Sequence, residues 1–499
     1  TSFSTSYTYH HGYFDGIERE FRGFGRVEQL DVESYGEFAN GNSASPYITT
    51  GKTLYQPPIK TVTWHHTGAL LENQRILTQF KHEYFPHWFE DLKPGVVNVL
   101  GTFQENDLPE PDLVAQDLST EEWREALRAC KGMMLRQEVY ELDVDALERG
   151  EHHPVKLFST AYHNCHIQRL QARGINPHAV FLVTESEAIT YHYEMDLRSD
   201  DLLLDPRIAH TLNLNFDEYG NVLQAVAVVY PRLGQFEDST LSTDAVDMIR
   251  QVQRETHLAY TETRFTNDVE TADSHRLRVP CEVLTYELTG ISPEDTGDRS
   301  SSDPRDNRYF AIDELRRYRL SQVHQSTGEV VQDIPYHQLP NRTTPQKRLV
   351  EHARTLFFKD EGLGLSDPLP FRQLGRLGLV YENYKLALTE DLLGSVFGAK
   401  LATEERGKLC DAKVSGYLSG APLATRFPGI DTTGQYWVRS GIAGFEPDAA
   451  QHFYLPERYT DPFGNVTTLK YDSRDLYVES STDMLGNTTR VTGFDFRVM

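Results

Sequence analysis

Alternating polar and apolar residues run through much of the chain and predict β-strands. Tyr7 and Tyr9 alternate with small polar residues, and Val62 and Trp64 alternate with threonines. A period of two places successive side chains on opposite faces of a strand. Similar patterns predict further strands at residues 135–143, 180–183, 188–191, 222–230, 258–265, 279–288 and from residue 436 onward. We interpret residues 184–187 as the turn of a hairpin.

Helical spacing of apolar residues interrupts the strands in four places. The first predicted helix carries Leu70, Leu77, Phe80 and Tyr84. In the second, Ser119 and Glu122 form a capping box ahead of an apolar face made of Trp123, Ala126, Leu127 and Cys130. Thr344 before Pro345 predicts the start of a third helix, whose face holds Leu349, Ala353, Leu356 and Phe357. Asn383–Phe397 is the fourth predicted helix.

Residues 9–28 combine aromatic residues, alternating charges and four glycines. Glycine is costly in a helix, and disordered tails are poor in aromatic residues, so this stretch predicts tight turns between short strands. Strand alternation places Phe21, Gly23 and Gly25 on one face, and Arg22, Phe24 and Arg26 on the other. From the residues alone, an ordinary β-hairpin accounts for the stretch.

A short turn motif repeats near the C-terminal end. Asp461-Pro-Phe-Gly464-Asn465 recurs 22 residues later as Asp483-Met-Leu-Gly486-Asn487, and Tyr471-Asp472 recurs as Phe494-Asp495. A type I turn favours Asp at its first position, Pro at its second and Gly at its fourth. Asp217-Glu-Tyr-Gly220-Asn221 has the same form, and Arg22-Gly-Phe-Gly25-Arg26 has its glycine at a similar offset. Such repeated hairpins are typical of stacked β-sheets.

Composition narrows the classes of function. The chain has 49 basic and 74 acidic residues, for a net charge of −25. This acidity disfavours nucleic acid and anionic membrane surfaces as partners. The four cysteines are far apart in sequence and predict neither a disulfide framework nor a zinc ribbon. We expect no membrane insertion, no signal peptide in this chain, and a chain that is a piece of a longer protein.

Arg19-Glu20-Phe21-Arg22-Gly23-Phe24-Gly25 resembles a motif of the B component of Tc insecticidal toxins and related Rhs/YD-repeat proteins. Segments in the same order along the rest of the chain resemble that family as well: 64–69, 135–140, 176–180, 189–194, 205–208, 260–267, 347–356, 381–386, 461–465 and 493–498. In the family, the first motif follows a β-propeller, at the point where the chain begins a hollow shell.

The resemblance implies a mainly β fold with a few helices: a large curved antiparallel sheet of Rhs/YD-repeat type that forms part of a hollow shell. We expect one continuous shell, divided into a β-rich section at residues 1–290, an exposed acidic linker at 291–307, a helix-bearing section at 308–420 and a YD-repeat-like strip at 421–499. The residues implied to build it are structural: Arg19, Glu20, Phe21, Arg22, Gly23, Phe24, Gly25, Asp217, Gly220, Asn221, Asp461, Gly464, Asn465, Tyr471, Asp472, Asp483, Gly486 and Asn487.

The resemblance also implies a function, namely encapsulation of a cytotoxic polypeptide for translocation, without catalysis or a cofactor. The implied partners are the C component and its enclosed toxic polypeptide. The A component would be reached only through a propeller, which this chain does not show. The complex would be made in the cytoplasm and then secreted.

Two other functions stay open from the residues. Abundant aromatic residues and carboxylates are also typical of carbohydrate-binding or glycan-active β-domains. Glu18-Arg-Glu20 can be read as the paired glutamates of an ADP-ribosyltransferase, but it lacks the accompanying Ser-Thr-Ser strand. Cross-strand ion pairs of Arg19 and Arg22 with Glu18 and Glu20 explain the same residues more simply. The histidines at 152, 153, 163 and 166 match no standard zinc spacing, so we expect no metal site.

Overall fold

The structure is a computed structural model that divides into two compact units. Unit 1 comprises Thr1–Leu258 and Ser292–Glu329, and unit 2 comprises Ala259–Ile291 and Val330–Met499. The structure describes residues 3–33, 57–70, 73–85, 87, 105–106, 108, 111–113, 117–199, 202, 204–234, 236–293, 309–325, 327–361, 363 and 368–494.

Unit 1 is built on antiparallel strands that are neighbours in the order β1-β2-β3-β5-β6-β7-β8-β9. The short strand β4 pairs in parallel with β6. The bounds are β1 Phe3–Asp15, β2 Glu20–Glu33, β3 Ile59–His65, β4 Asp112–Leu113, β5 Met134–Leu142, β6 Pro154–Gln171, β7 Val180–Asp196, β8 Arg207–Phe216 and β9 Val222–Val229.

Unit 2 contains two sheets and a short hairpin. The larger sheet has the strand order β10-β13-β17-β18-β20-β19, with β16 parallel to β17, and the smaller sheet is the antiparallel meander β21-β22-β23-β24-β25. The bounds are β10 His257–Phe265, β11 Val269–Thr271, β12 Ser274–Arg276, β13 Pro280–Thr289, β16 Gln332–Ile334, β17 Gln346–Phe357, β18 Val380–Thr389, β19 Leu418–Ser419, β20 Gln435–Arg439, β21 Ile442–Gly444, β22 Arg458–Thr460, β23 Val466–Tyr471, β24 Val478–Thr482 and β25 Thr488–Arg490. Of the two remaining short strands, β14 Tyr318–Arg319 belongs to the second segment of unit 1, and β15 Glu329–Val330 begins at the last residue of that segment.

Short α-helices lie between the strands, and none of those within the described ranges is long and apolar enough to cross a membrane. Their bounds are α1 Asn73–Lys81, α2 Thr120–Ala129, α3 Val144–Glu148, α4 Thr243–Gln253, α5 Ile312–Arg316, α6 Glu390–Phe397, α7 Thr403–Cys410, α8 Ala412–Ser415 and α9 Gly420–Arg426.

The predicted fold class is confirmed, since the chain is mainly antiparallel β with a large sheet and a few helices. The capping box of α2 is present, with the Ser119 side chain accepting a hydrogen bond from the Glu122 backbone N–H. The apolar face of α2 differs in one residue. Ala126 and Cys130 are buried, but Trp123 is 41% exposed.

Three predicted elements are wrong. Residues 180–191 form no hairpin, because they belong to the single strand β7, and a register shift opposite Asn164 and Cys165 shows that residues 185–187 hold a β-bulge. The predicted helix after Pro345 is strand β17, paired on both sides. Residues 383–389 belong to strand β18, and the helix begins only after Thr389. Pairing with neighbouring strands overrides local helical spacing at both sites.

Two predictions fall partly outside the described residues. The acidic linker at 291–307 lies there except for its first three residues, and Asp495 of the second Tyr-Asp-like pair lies there as well.

Candidate functional site

The hairpin β1–β2 reverses the chain at residues 16–19. The carboxylate of Asp15 accepts hydrogen bonds from the backbone N–H groups of Ile17 and Glu18, at 2.9 and 3.0 Å. The bond from Glu18 is the main cause that lowers the pKa of Asp15. Arg19 takes a left-handed conformation with φ 55°, is exposed, and has no ion-pair partner among the residues that the structure describes. The predicted cross-strand pairing of Arg19 is therefore wrong.

Arg22 joins the hairpin to a neighbouring loop. Its side chain is fully buried, lies 2.7 Å from the Asp15 carboxylate, and donates a hydrogen bond to the backbone carbonyl of Gly68. Gly68 has φ 70°, and a Cβ there would lie 3.0 Å from the carbonyl oxygen of Leu127, at the end of α2. Only glycine fits this conformation at so close an approach without strain. The loop, the hairpin and α2 are thus packed around one guanidinium group.

Glu18 and Glu20 form ion pairs with basic residues of α2 and of the segment just after it. Glu18 lies 3.0 Å from Arg124 and 2.8 Å from Arg128, and Glu20 lies 3.1 Å from Lys131. The hydrogen bond from Lys131 is the main cause that lowers the pKa of Glu20. Both glutamates therefore attach a helix to a hairpin.

The glycines and phenylalanines of the motif depart from simple strand alternation. Phe21 and Phe24 contact each other with ring centroids 5.3 Å apart, although alternation puts them on opposite faces. The cause is a register shift between β1 and β2, together with φ 92° at Gly23. Gly25 is a strand residue and not a turn residue. A Cβ there would lie 2.5 Å from the Phe80 ring, so its absence lets α1 pack closely.

Three turns share one geometry: Asp217–Asn221, Asp461–Asn465 and Asp483–Asn487. In each, the Asp carboxylate accepts hydrogen bonds from two backbone N–H groups, two and four residues on, and from the Asn side chain, all at 2.8–2.9 Å. The glycines Gly220, Gly464 and Gly486 have φ of 82°, 92° and 85°.

Tyr471 and Asp472 form a different turn. The Asp472 carboxylate accepts bonds from the backbone N–H groups of Arg474, Leu476 and Tyr477, and the Tyr471 hydroxyl donates to the carbonyl of Pro456. This turn joins β23 to β24, whereas the turns at Asp461 and Asp483 join β22 to β23 and β24 to β25. The two turn types therefore alternate between the ends of the small sheet.

Buried charge clusters are the main feature that sequence reasoning missed, and the first lies in unit 1. Arg136 is fully buried and stacks between the rings of Tyr84 and Tyr162, at 4.6 and 4.3 Å. Its guanidinium donates to Glu105 and Glu138, each at 2.7 Å. Burial opposes the charge, but the carboxylates outweigh it and raise the pKa of Arg136 well above its usual value.

The second cluster surrounds Glu282 in unit 2. This side chain is 2% exposed and accepts from His352, Arg354, Arg264 and Arg372 at 2.9–3.1 Å. Burial acts to raise the pKa of Glu282, but the hydrogen bonds and charges of these partners lower it far below its usual value.

Aromatic rings enclose the same cluster. The Arg354 guanidinium lies 4.8 Å from the ring centre of Trp437, 4.9 Å from that of Phe427 and 5.4 Å from that of Phe371. Burial is also the main cause that lowers the pKa of His352. The cluster is therefore a largely buried ionic network in the larger sheet of unit 2, with Arg372 at its exposed side.

A sequence signal for both clusters exists. Charged residues two apart on one strand point to the same face, as in Arg136-x-Glu138, Glu262-x-Arg264 and His352-x-Arg354. Two charged residues at this spacing indicate a buried ion pair when the apolar residues of the strand do not alternate. A pattern of apolar residues alone does not reveal such a pair.

The remaining reactive groups are dispersed. Cys130 and Cys165 face each other with their sulfurs 3.6 Å apart, both buried. His163 binds Glu185 at 2.8 Å and His166 binds Asp112 at 3.3 Å. Within the described ranges, no group of three or more His, Cys, Asp or Glu side chains is placed to hold a metal ion.

The sequence of this chain is similar to two protein-family models. Two family models match the chain: "Insecticide toxin TcdB middle/N-terminal region" over residues 1–48, and "Insecticide toxin TcdB middle/C-terminal region" over residues 125–279. No curated protein sequence matches.

Solved structures share the fold. The TcdB2-TccC3-Cdc42 crystal structure matches 98% of the chain with a TM-score of 0.60 and 19% identity, and the pore of the Photorhabdus luminescens Tc holotoxin matches 99% with a TM-score of 0.58 and 19% identity. The chain spans 21% and 20% of the length of those matched chains.

Proposed function

We propose that the chain is a TcdB-type region of a Tc toxin B component, and that it forms a wall section of the shell that encloses a cytotoxic polypeptide. The observation that carries the proposal is the combination of the two TcdB family matches with a shared fold over 98% of the chain. In this role the chain excludes solvent and partner proteins from a cargo and requires no catalysis of its own.

The proposed partners follow from the assemblies in which similar chains occur. One matched structure contains TcdB2, TccC3 and Cdc42, and another is a Tc holotoxin pore that contains TccC3. We infer that this chain is joined to a C component and encloses that component's toxic polypeptide. We infer further that the complex is secreted, and that it meets the A component only through other parts of the B protein.

The ionic clusters suit a wall. Arg22, Arg136 and Glu282 each hold several segments of one unit together through buried charged contacts, and the contact between Glu282 and Arg354 joins two residues that are paired directly in register. A wall made of long strands needs such specification, because a slip by one residue turns every side chain to the other face.

The unpaired edge of β1 is evidence that another section of the shell adjoins this chain. Among the described residues β1 pairs only with β2, and its side chains Tyr7, Tyr9 and Phe14 are 52%, 53% and 60% exposed. Open strand edges with apolar side chains invite pairing with another chain. In the proposed shell, an adjoining section covers this edge.

A protease-protection experiment tests the proposal. The full B protein that contains this chain is produced together with its C component, and digestion of the cargo is followed by mass spectrometry with and without the B protein. We expect the B protein to protect the cargo. Cargo digested equally fast in both samples would contradict the shell role.

Two variants relate the result to this chain. Arg22→Met removes the buried cation between the hairpin, the loop and α2, so we expect faster cargo digestion. Arg19→Met alters an exposed arginine three residues earlier that has no ion-pair partner among the described residues, and we expect full protection. Equal leakage in both variants would refute the assigned role of Arg22.

A further inference from the structure

One face of the sheet in unit 1 carries an uncharged row of side chains that crosses eight strands. The row starts at Tyr9 on β1 and ends at Val229 on β9, and each member is paired directly in register with the next. Residues paired in this way project to the same face of a sheet. The members on the strands between the two ends are Val27, Thr63, Gln137, Ala161, Thr190 and Ala209.

The neighbouring row on the same face has the same character. It runs in register from Tyr7 on β1 to His192 on β7 and contains no Asp, Glu, Lys or Arg. No residue of either row is buried. We call these two rows the neutral face, since they form a partly exposed surface without an acidic or strongly basic side chain.

Charged residues of the same strands point to the opposite face. Arg136 and Glu138 flank Gln137 in β5, and both are buried under the segment that follows α1. The Arg136 guanidinium lies 4.6 Å from the ring centre of Tyr84, and Glu138 accepts a hydrogen bond from the backbone N–H of Phe85 at 2.7 Å. A quarter of all residues in the chain are charged, and a water-facing sheet normally presents such residues to the solvent. The neutral face therefore lacks the composition of a face that meets only water.

The composition of the neutral face is also unlike that of a stable interface with a folded protein or a second copy of this chain. Such interfaces are enriched in aromatic residues, Met and Arg, and depleted in Ser and Ala. The central strands of the neutral face carry small side chains, such as Ser159, Ala161 and Thr190, whereas its tyrosines lie on β1 at one edge. The centre therefore offers a neighbouring molecule neither a charge to pair with nor a large side chain to pack against.

An unfolded polypeptide is the occupant that suits this surface. Its basic segments would be held by exposed carboxylates, which are abundant in a chain of net charge −25. Hydroxyl and amide side chains exchange their hydrogen bonds with water at little net gain in free energy. The neutral face therefore contacts an unfolded chain weakly and without preference for one of its segments.

We propose that the neutral face is the inner side of the shell wall and lies against the unfolded cargo polypeptide, with α1 on the outer side. This inference rests on the proposed shell function and adds to it the side of unit 1 that meets the cargo.

Site-specific photo-cross-linking in the full B protein, assembled with its C component and cargo, tests this orientation. The photoreactive residue p-benzoylphenylalanine replaces Ala209 or Thr63 in the neutral face, or Arg75, an exposed residue of α1. We expect cross-links to the cargo from both positions in the neutral face and none from position 75. Cross-links from positions 209 and 63 to the C component outside the cargo, or to a second B protein, would overturn the proposal.

Protease protection of the cargo in the same samples separates this inference from the shell function. Protected cargo that cross-links only from position 75, or from none of the three positions, refutes the orientation and leaves the shell function standing. Cargo that is digested as fast as free cargo refutes the shell function itself.

The distribution of cross-links along the cargo tests the lack of charge selection. From position 63 we expect cross-links to many cargo segments. Thr190→Glu combined with Thr211→Glu adds two carboxylates around Ala209 on the same face. Cross-links from position 209 should then concentrate on Lys- and Arg-rich segments at low salt and spread again at high salt, which screens exposed charges. Cross-links confined to one short segment without these substitutions, or an unchanged distribution with them, would refute a neutral lining.

Discussion

Replacing Glu282 by glutamine removes the one anion that the second buried cluster shares among four bases. His352 and Arg354 contact it at 2.9 Å, and Arg264 and Arg372 contact it at 3.1 and 3.0 Å. Glutamine has nearly the same size, so the substitution leaves packing intact and tests the charge alone.

The expected loss of stability in Glu282→Gln depends on which partners each basic residue retains. Arg264 retains Glu262 at 2.7 Å, and Arg372 is 45% exposed and can be solvated, so both lose little. Arg354 is 5% exposed and is left as an uncompensated charge among aromatic rings. Breaking a buried ion pair from one side costs about 3–5 kcal/mol. We expect a decrease of that size in the free energy of opening unit 2.

Hydrogen exchange measured by mass spectrometry at pH 7 reports the change locally. Amides in β13 and β17 should lose protection by about 100- to 4,000-fold, which corresponds to 3–5 kcal/mol. Glu351→Gln on β17, the strand that carries His352 and Arg354, is the matched control. Its pair with Lys385 is 47% and 60% exposed, so its loss should cost less than about 1 kcal/mol.

A double-mutant cycle gives the sharpest refutation. Arg354→Met in the Glu282→Gln background should restore part of the lost protection, because the stranded charge is gone. If the two substitutions are additive, or if Glu282→Gln costs no more than Glu351→Gln, Glu282 does not stabilise the cluster as argued.

Three further predictions concern other parts of the chain. Gly464→Ala and Gly486→Ala should each lower the free energy of unfolding by about 1–2 kcal/mol, because alanine is strained at their left-handed φ. Gly220→Ala should lower it further, since its Cβ would also lie 2.8 Å from the Thr184 side chain. Chemical denaturation of the three variants compares these losses, and equal losses would contradict the prediction. Lowering the pH from 7 to 4.5 should destabilise unit 1, because the pKa of His66 is about 4 in the folded chain and about 6.5 in the unfolded chain. The unfolded state therefore binds more protons in this pH range. Thermal melts should show a weaker pH dependence of stability for His66→Gln, and an identical dependence would exclude His66 as the cause. Incubation of the folded chain with oxidised glutathione should leave Cys130 and Cys165 reduced, because both thiols are buried and the hydrogen bond with Cys165 and burial raise the pKa of Cys130. Peptide mapping checks this, and a peptide that links Cys130 to Cys165 would refute it.

The alternation of strands and the turn chemistry could be predicted from the sequence because both are local. The Asp–Gly–Asn turns contain their own hydrogen bonds, so a five-residue window holds the whole explanation. The same holds for the capping box at Ser119 and Glu122. Such motifs need no knowledge of what packs against them.

The apolar residues of strand β17 predict a helix because the buried face of this strand is charged. His352 and Arg354 alternate inward with Leu356, while Leu349 and Ala353 fall at helical spacing by chance. A prediction based only on apolar residues assigns buried polar positions, such as His352 and Arg354, to the solvent-exposed face. The Glu282 cluster that makes those positions favourable is supplied by β13, some 70 residues earlier, which no local window contains.

The buried charges explain why this chain can use long strands without losing their register. An apolar face tolerates a slip of two residues, because the same kind of side chain returns to the same face. A slip of two between β13 and β17 moves Arg354 away from Glu282, to which it is paired directly in register, and leaves the buried guanidinium of Arg354 without its carboxylate. Each stranded charge costs several kcal/mol, which exceeds the gain from any apolar contact retained. The Glu282 cluster therefore makes the native alignment of β13 and β17 the one in which the buried charge of Arg354 is paired.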